Sequence, residues 1–287
     1  TRPRHPFMIL VFKLLSTPLL ILCLTLLSRR FGPAVGGLLM GIPLVTGPVS
    51  VFTALENGAA FARHAAVGNL VGQVSTCIFC FVYARAARRF NCWVSMIAGV
   101  CAFFLATFVW NLASWTFAQA IGLLLATLLL LSFLTKPVNM EALAGIAPRW
   151  DLPARMIVST GFVFLITLST RYLGPQLSGL VAPFPVFVLV LAMFTHHQRG
   201  APAAANLLRG VIVGSFSFAA FFTVVALALS DGWLPFAYAF ATLSSMATTS
   251  AIYLGTRATP FFGATPLIGP VAVARLSPNI PREDGSP

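Results

Sequence analysis

Residues 32–72 recur in the same chain as residues 174–214, in register and without a gap. Gly32-Pro33 returns as Gly174-Pro175, Gly37-Leu38 as Gly179-Leu180 and Pro43 as Pro185. Phe52-Thr53 returns as Phe194-Thr195, Gly58-Ala59 as Gly200-Ala201, and Gly68 and Gly72 as Gly210 and Gly214. Arg29 meets Arg171, and further upstream Lys13 meets Arg155. Chance similarity between two apolar stretches would fall on Leu and Val. These matches fall mainly on Gly, Pro, Thr and Arg, whose roles are close helix approach, helix breaks and turns. The chain is therefore read as a duplicated unit.

What kind of unit follows from the residues between those markers. Of 287 residues, 58% are hydrophobic and only 8% charged, with 26 Phe against six acidic residues. The mean hydropathy is +0.91. A soluble domain of this length needs far more charge to cover its surface. Long unbroken apolar runs also lack the alternation of a membrane barrel. The expected fold class is an all-α polytopic membrane protein. Segments of about 20 apolar residues are long enough to span a bilayer, and nine are expected at 7–28, 33–54, 65–84, 92–110, 114–134, 153–170, 176–195, 204–229 and 233–253. A tenth stretch, 259–273, carries Pro260, Pro266 and Pro270 and is short, so it is left undecided. Residues 7–28 are read as a retained helix, because no small-residue cleavage site follows and their register recurs internally.

The net charge of +12 has a simpler source than nucleic acid, since Arg and Lys collect on the cytoplasmic side of membrane proteins. With the N-terminus outside, the inner side gathers Arg29, Arg30, Arg85, Arg88, Arg89, Lys136, Arg149, Arg155, Arg199, Arg257, Arg275 and Arg282. The outer side keeps Arg2, Arg4, Arg63 and Arg171. The expected location is a bacterial inner (cytoplasmic) membrane, multi-pass, with the N-terminus outside. Cys77 and Cys80 have zinc spacing but no second ligand pair, and are read as small buried hydrophobes. No metal site or cofactor is expected.

Topology gives the repeat a direction. The first copy begins with the first segment and the second with the sixth, so an odd number of spans separates them and the two copies stand upside down to each other. The expected organisation is a first repeat at 1–112 (spans 1–4), a linking helix and cytoplasmic loop at 113–152, a second repeat at 153–256 (spans 6–9), and a short apolar segment with a polar tail at 257–287. The linking helix, 114–134, ends in a nearly pure Leu/Ala run and is expected at the lipid-facing periphery. In layout, and in its repeated Gly-Pro-x3-Gly-Leu-x4-Pro frame, the chain resembles inverted-repeat secondary transporters of bacterial inner membranes. That resemblance implies alternating access around a site between the two copies.

Spans 2 and 7 are interrupted at corresponding places, by Gly41-Ile42-Pro43 followed by Thr46-Gly47-Pro48 and by Pro183-Phe184-Pro185. A proline inside a helix removes a hydrogen bond at about 3 kcal/mol, and freed backbone groups persist in a membrane only beside protein or a polar cavity. The substrate-binding candidates are therefore Pro43, Thr46, Gly47, Pro48, Ser50, Thr53, Pro183, Pro185 and Thr195. Arg209, in span 8 nine residues past Gly200, joins them as a cation able to meet an anionic or zwitterionic substrate. Glu56, matched by Gln198 in the second copy, is the candidate for ion coupling, with Arg63 and His64 as its counter-charges. The Gly68/Gly72 and Gly210/Gly214 pairs are expected to pack spans 2–3 and 7–8.

The function expected is a secondary transporter moving a small solute by alternating access, with no catalytic residues. The alternative is a lipid flippase or an intramembrane lipid-modifying enzyme, the latter disfavoured by the scarcity of carboxylates for Mg²⁺. The partners are a small-molecule or lipid substrate and the lipid bilayer, with a homo-oligomer left open and nucleic acid excluded.

Overall fold

A computed structural model describes residues 6–138, 150–172, 184–229 and 233–258, with side chains from Thr17 to Val138, Trp150 to Ile166, Phe184 to Leu229 and Trp233 to Gly255. The described residues are helical, with no strand among them. In chain order the helices are α1 (Pro6–Phe31), α2 (Pro33–Met40), α3 (Thr46–Asn57), α4 (Ala59–Ala86), α5 (Cys92–Asn111), α6 (Phe117–Leu134), α7 (Asp151–Tyr172), α8 (Val186–Ala228) and α9 (Leu234–Ala258).

This is a helical membrane protein. Four helices, α4, α5, α6 and α8, are long and apolar enough to cross a bilayer. Large apolar side chains also point outward in numbers that water would not tolerate. Leu105 and Phe108 on α5, Leu129, Leu130 and Phe133 on α6, and Phe240 and Leu243 on α9 are all more than half exposed. Exposed Trp93 and Trp233 stand at the starts of α5 and α9, where amphipathic indoles favour the membrane–water boundary. Helix α6 shows lipid the greater part of its surface, as expected for the connector, whereas α4 and α8 carry most of the core.

Local signals explain several boundaries. Asn91 caps α5, its side-chain oxygen accepting from Val94 N at 3.0 Å. Thr116 and Gln119 cap α6 reciprocally, satisfying two donors that would otherwise be orphaned at the helix start. Gly32, Gly58 and Gly200 all have positive φ, at 95°, 85° and 79°. Gly58 (ψ 164°) separates α3 from α4, and Gly200 (ψ 175°) breaks α8. That region of backbone space is essentially open only to glycine. The first arm of α8 supplies Val186 and Val188 to a cavity that the second arm lines with Val211 and Phe218. A straight helix would hold residues 25 positions apart about 37 Å away from each other, so the two arms must run side by side.

The helix ends sort into two groups. Arg29, at the end of α1, pairs with Asp151, the first residue of α7. Arg155 of α7 reaches Gln198 beside the Gly200 break at 3.2 Å. Tyr83, near the end of α4, lies 3.4 Å from His196 Nδ1. Asn206 of α8 meets Val138 beyond the end of α6. All of these lie at one end of the bundle, the Asp151 end, and Gly58 at the start of α4 lies at the other. Arg29, Arg85, Arg88, Lys136, Arg155 and Arg199 are at the Asp151 end, while Arg63 follows Gly58.

The closest helix contact joins α2 to the second arm of α8. A Cβ on Gly37 would stand 1.9 Å from the Leu207 carbonyl oxygen, one on Gly210 2.2 Å from that of Ala34, and one on Gly214 2.4 Å from that of Leu38. The backbones touch with no room for a side chain, the geometry that small residues four apart permit. Among the described residues, the Gly210/Gly214 face meets α2, where the sequence alone led one to expect span 7. It grips the half-helix of the other copy, because Gly37 and Gly41 offer it a matching groove.

Candidate functional site

The interruption after α2 leaves a short non-helical passage. Gly41 and Ile42 close α2 on the carbonyls of Leu38 and Leu39 at 3.1 and 3.2 Å, and Gly47 N donates to Pro43 O at 2.8 Å to restart the helix as α3. Pro48 falls in the first turn of α3, where its ring is tolerated. It has no N–H to offer Leu44, four residues back. At the second proline marker, Phe184 and Pro185 are non-helical and lead into α8, and the Pro185 carbonyl accepts from Leu189 N at 2.9 Å.

The two interruptions meet. A cavity of about 230 Å³ is lined by Ile42, Pro43 and Thr46 from the first and by Phe184, Pro185 and Phe187 from the second. Leu20 and Leu24 of α1, Val163 and Ile166 of α7 and Phe218 of α8 add apolar wall, and Thr17, Gln73 and Thr76 add polar groups. Gln73 lies fourteen residues into α4, about 21 Å along its axis, midway through the helix. Thr46 Oγ1 is buried and has no hydrogen-bond partner among the described residues. A buried hydroxyl left unpaired costs about 1–3 kcal/mol.

Gln73 is the polar centre of this wall. Its amide Nε2 donates to Ser215 Oγ at 2.8 Å, Ser215 Oγ donates to Val211 O at 2.8 Å, and Cys77 Sγ lies 3.7 Å from the same hydroxyl. Gln73 and Ser215 occupy equivalent positions of the repeat, one residue after Gly72 and Gly214. Sequence reasoning passed over both. The signal was there, since polar residues follow the second glycine in each copy and Ser75 then matches Ser217.

The expected site residues divide. Pro43, Thr46 and Pro185 line the cavity. Pro183 lies outside the described residues. Ser50 is engaged elsewhere, its hydroxyl 2.9 Å from that of Tyr238 and its carbonyl accepting from the same phenol at 2.8 Å. Thr53 donates to Val49 O within its own helix, and Gly47 packs on the Phe221 ring. Pro48 and the buried Thr195 are not among the residues lining the cavity.

Arg209 is also away from the cavity. Its Nε donates to the Thr135 carbonyl at 2.8 Å, at the C-terminus of α6, where a cation meets the negative end of the helix dipole. Glu56 is partly exposed in the last turn of α3, and Arg63 and His64 are exposed on α4. Among the described residues no ion pair joins Glu56 to either. The expected ion-coupling trio is split between two helices, Glu56 on α3 and Arg63 and His64 on α4, with Gly58 between them.

The ion pairs that do form converge on Asp151. Its carboxylate accepts from Arg155 Nε at 2.8 Å, from Gln198 and from Arg29, and Arg155 lies 5.0 Å over the Phe194 ring. Burial pushes the Asp151 carboxyl up, but the hydrogen bond and charge of Arg155, then Gln198 and Arg29, outweigh it and hold the group below the usual carboxylate range. The cluster ties α1 to α7 and to the break in α8, at the end of the bundle nearest the Gly200 turn.

No family model matches the chain, and no curated protein or solved structure matches it significantly.

Proposed function

We propose that this protein is a secondary transporter of a bacterial inner membrane, moving a small solute by alternating access between two inverted copies of one unit. The observation that carries the proposal is the cavity at mid-helix depth, lined by residues around both proline markers and by Thr46, Gln73 and Thr76. Paired broken helices facing a central cavity are what a substrate site between repeats requires.

The inversion has independent support. Gly58 and Gly200 are equivalent in sequence, share nearly the same φ and ψ, and lie at opposite ends of the bundle. Helices α1 and α7, the first of each copy, run antiparallel through the Arg29–Asp151 contact. The hydrogen bond between equivalent residues Gln73 and Ser215 lies where a twofold axis in the membrane plane would pass. On this reading the chain makes the nine expected spans, the basic Asp151 end is cytoplasmic by the positive-inside rule, and the N-terminus is outside. Two near-equivalent halves can exchange conformations and so open one site alternately to each side.

The cavity wall narrows the substrate. It offers hydroxyls and a carboxamide among apolar side chains, and no cation among the described residues. That favours a neutral or zwitterionic solute with an apolar portion, and removes Arg209 as the reason to prefer an anion. The chain carries no Gly-x4-Gly-Lys-Ser/Thr nucleotide motif, so the drive would be an ion gradient or the solute's own gradient, with Glu56 the acid for coupling. The apolar wall also favours a second reading, a flippase that passes a lipid headgroup through the same cavity.

The test is a thermal-shift screen of the detergent-purified protein against metabolites and short-chain lipids, repeated with Gln73→Leu and Thr46→Val. A solute at a hundred times its Kd stabilises by about 2.7 kcal/mol. A metabolite that stabilises wild type and neither variant supports the transporter, which uptake of that metabolite into proteoliposomes then checks. A response confined to lipids and lost in both variants supports the flippase. Equal stabilisation of wild type and both variants places the ligand outside this cavity and removes the proposal's foundation.

A further inference from the structure

A second cavity, of about 180 Å³, opens at the Asp151 end between the last turn of α4 and the end of α6. Arg85, Arg88 and Lys136 stand around it, and Phe81, Leu134 and Ala205 form its apolar floor. No acid is among the described residues that line it. We propose that this cavity binds a phosphate group, delivered as the headgroup of an anionic phospholipid.

The site is built rather than accidental. The passage 135–138, which carries Lys136, is clamped from α8. Asn206 accepts from Val138 N at 3.0 Å and donates to Val138 O at 2.7 Å. Arg209 Nε donates to Thr135 O at 2.8 Å, and Thr135 Oγ1 donates to Leu131 O at 2.6 Å. These bonds hold the backbone on either side of Lys136, which stands with Arg85 and Arg88 around the cavity. Three exposed cations around one opening repel one another, and an anion between them relieves that repulsion.

Basic residues at helix C-termini also complement the helix dipole, and Arg89 serves that role without lining the cavity. The shared cavity and the clamped passage beside it set the other three apart. Their source of phosphate follows from what lies beside the opening. Leu130, Phe133 and Leu134 are exposed along α6, a track on which acyl chains would lie while the headgroup enters the cavity. Basic pockets between membrane helices at the headgroup level take anionic lipids in this way. A free phosphate would use the cations and leave the apolar track idle.

The experiment reads the thermal stability of the purified full chain in neutral detergent. Phosphatidylglycerol, phosphatidylcholine and inorganic phosphate are added in separate arms, to wild type, to Arg85→Gln/Arg88→Gln/Lys136→Gln and to Arg89→Gln. Phosphatidylglycerol is expected to stabilise wild type and Arg89→Gln, phosphatidylcholine neither. Apparent affinity should weaken about fivefold per neutralised residue of the triple variant, from a contribution of about 1 kcal/mol per basic residue near an anionic surface. A response of wild type to inorganic phosphate alone, lost in the triple variant, keeps the phosphate chemistry and overturns the lipid source. A triple variant that responds to phosphatidylglycerol as wild type does overturns the site. The three residues are solvent-facing, so the variant is expected to fold, and its elution as a single symmetric peak by size exclusion establishes that before the titrations.

Discussion

Replacing Asp151 with Asn isolates what the cluster at the α1–α7 junction contributes. The substitution keeps the shape of the side chain and removes its charge. Asp151 is fully buried and its partner Arg155 5% exposed, whereas Arg29 is 27% exposed. Breaking a buried pair by removing one partner costs about 3–5 kcal/mol, because the other charge stays buried and uncompensated. Here Arg155 retains Gln198 Oε1 and the Phe194 ring, and Arg29 regains water, so the lower end of that range applies. For a chain of this size a loss of about 3 kcal/mol lowers the unfolding midpoint by roughly 6–12 °C. The pH dependence has a definite sign. The carboxyl is held below its ordinary range in the folded protein, so its stabilisation is present above the unfolded pKa and is lost as pH falls through the folded value. The assay is tryptophan-fluorescence unfolding in detergent between pH 3 and 7. Wild type should lose stability on the acid side and Asp151→Asn should lose less there. A drop of under 2 °C at pH 7, or an unchanged acid limb, would refute the reasoning.

The glycine contacts separate by position: Gly37→Ala and Gly210→Ala must push backbone apart and are expected to lower stability by about 1–3 kcal/mol, while Gly68→Ala, with open space beside it, is expected to change it little, all by the same unfolding assay. Gly58→Ala and Gly200→Ala force a side chain into a glycine-only region of backbone space and are each expected to cost about 1–3 kcal/mol, with similar losses at the two sites because the conformations match. Tyr238→Phe removes both bonds to Ser50 and is expected to cost about 0.6 kcal/mol per bond, a small midpoint shift with no effect on ligand binding in the cavity.

Much of the architecture is legible in the sequence because lipid restricts the options. Apolar runs at 92–110 and 114–134 become α5 and α6 almost residue for residue. The interruption in 33–54 appears where Gly41 and Pro43 put it, splitting the segment into α2 and α3. Helix α4 starts at Ala59, before the apolar run at 65, because Gly58 supplies the turn and Arg63 and His64 are content in an exposed first stretch of helix. The site is legible only in part. Proline marks where a helix breaks, so Pro43 and Pro185 pointed to the cavity. A hydroxyl or a charge carries no such positional meaning. Ser50 turned to Tyr238, a partner on α9 that local pattern cannot name. Arg209 looked like a core cation, yet it closes the end of α6, because its Nε finds the Thr135 carbonyl there. Asp151 fell in the expected loop at 113–152 and became the most buried charge among the described residues, since Arg155 one turn along α7 is joined there by two distant donors, Arg29 of α1 and Gln198 of α8.

The central claim is that the two copies are inverted, and equivalent residues test it directly. Ala60 and Pro202 match in the repeat, are both exposed, and sit two residues past Gly58 and Gly200. Ala60→Cys and Pro202→Cys, each in a background with the five native cysteines replaced, are to be labelled with a membrane-impermeant maleimide in intact spheroplasts and in inverted vesicles. The account predicts that Ala60→Cys reacts only in spheroplasts and Pro202→Cys only in inverted vesicles. Labelling of both from the same side would contradict it.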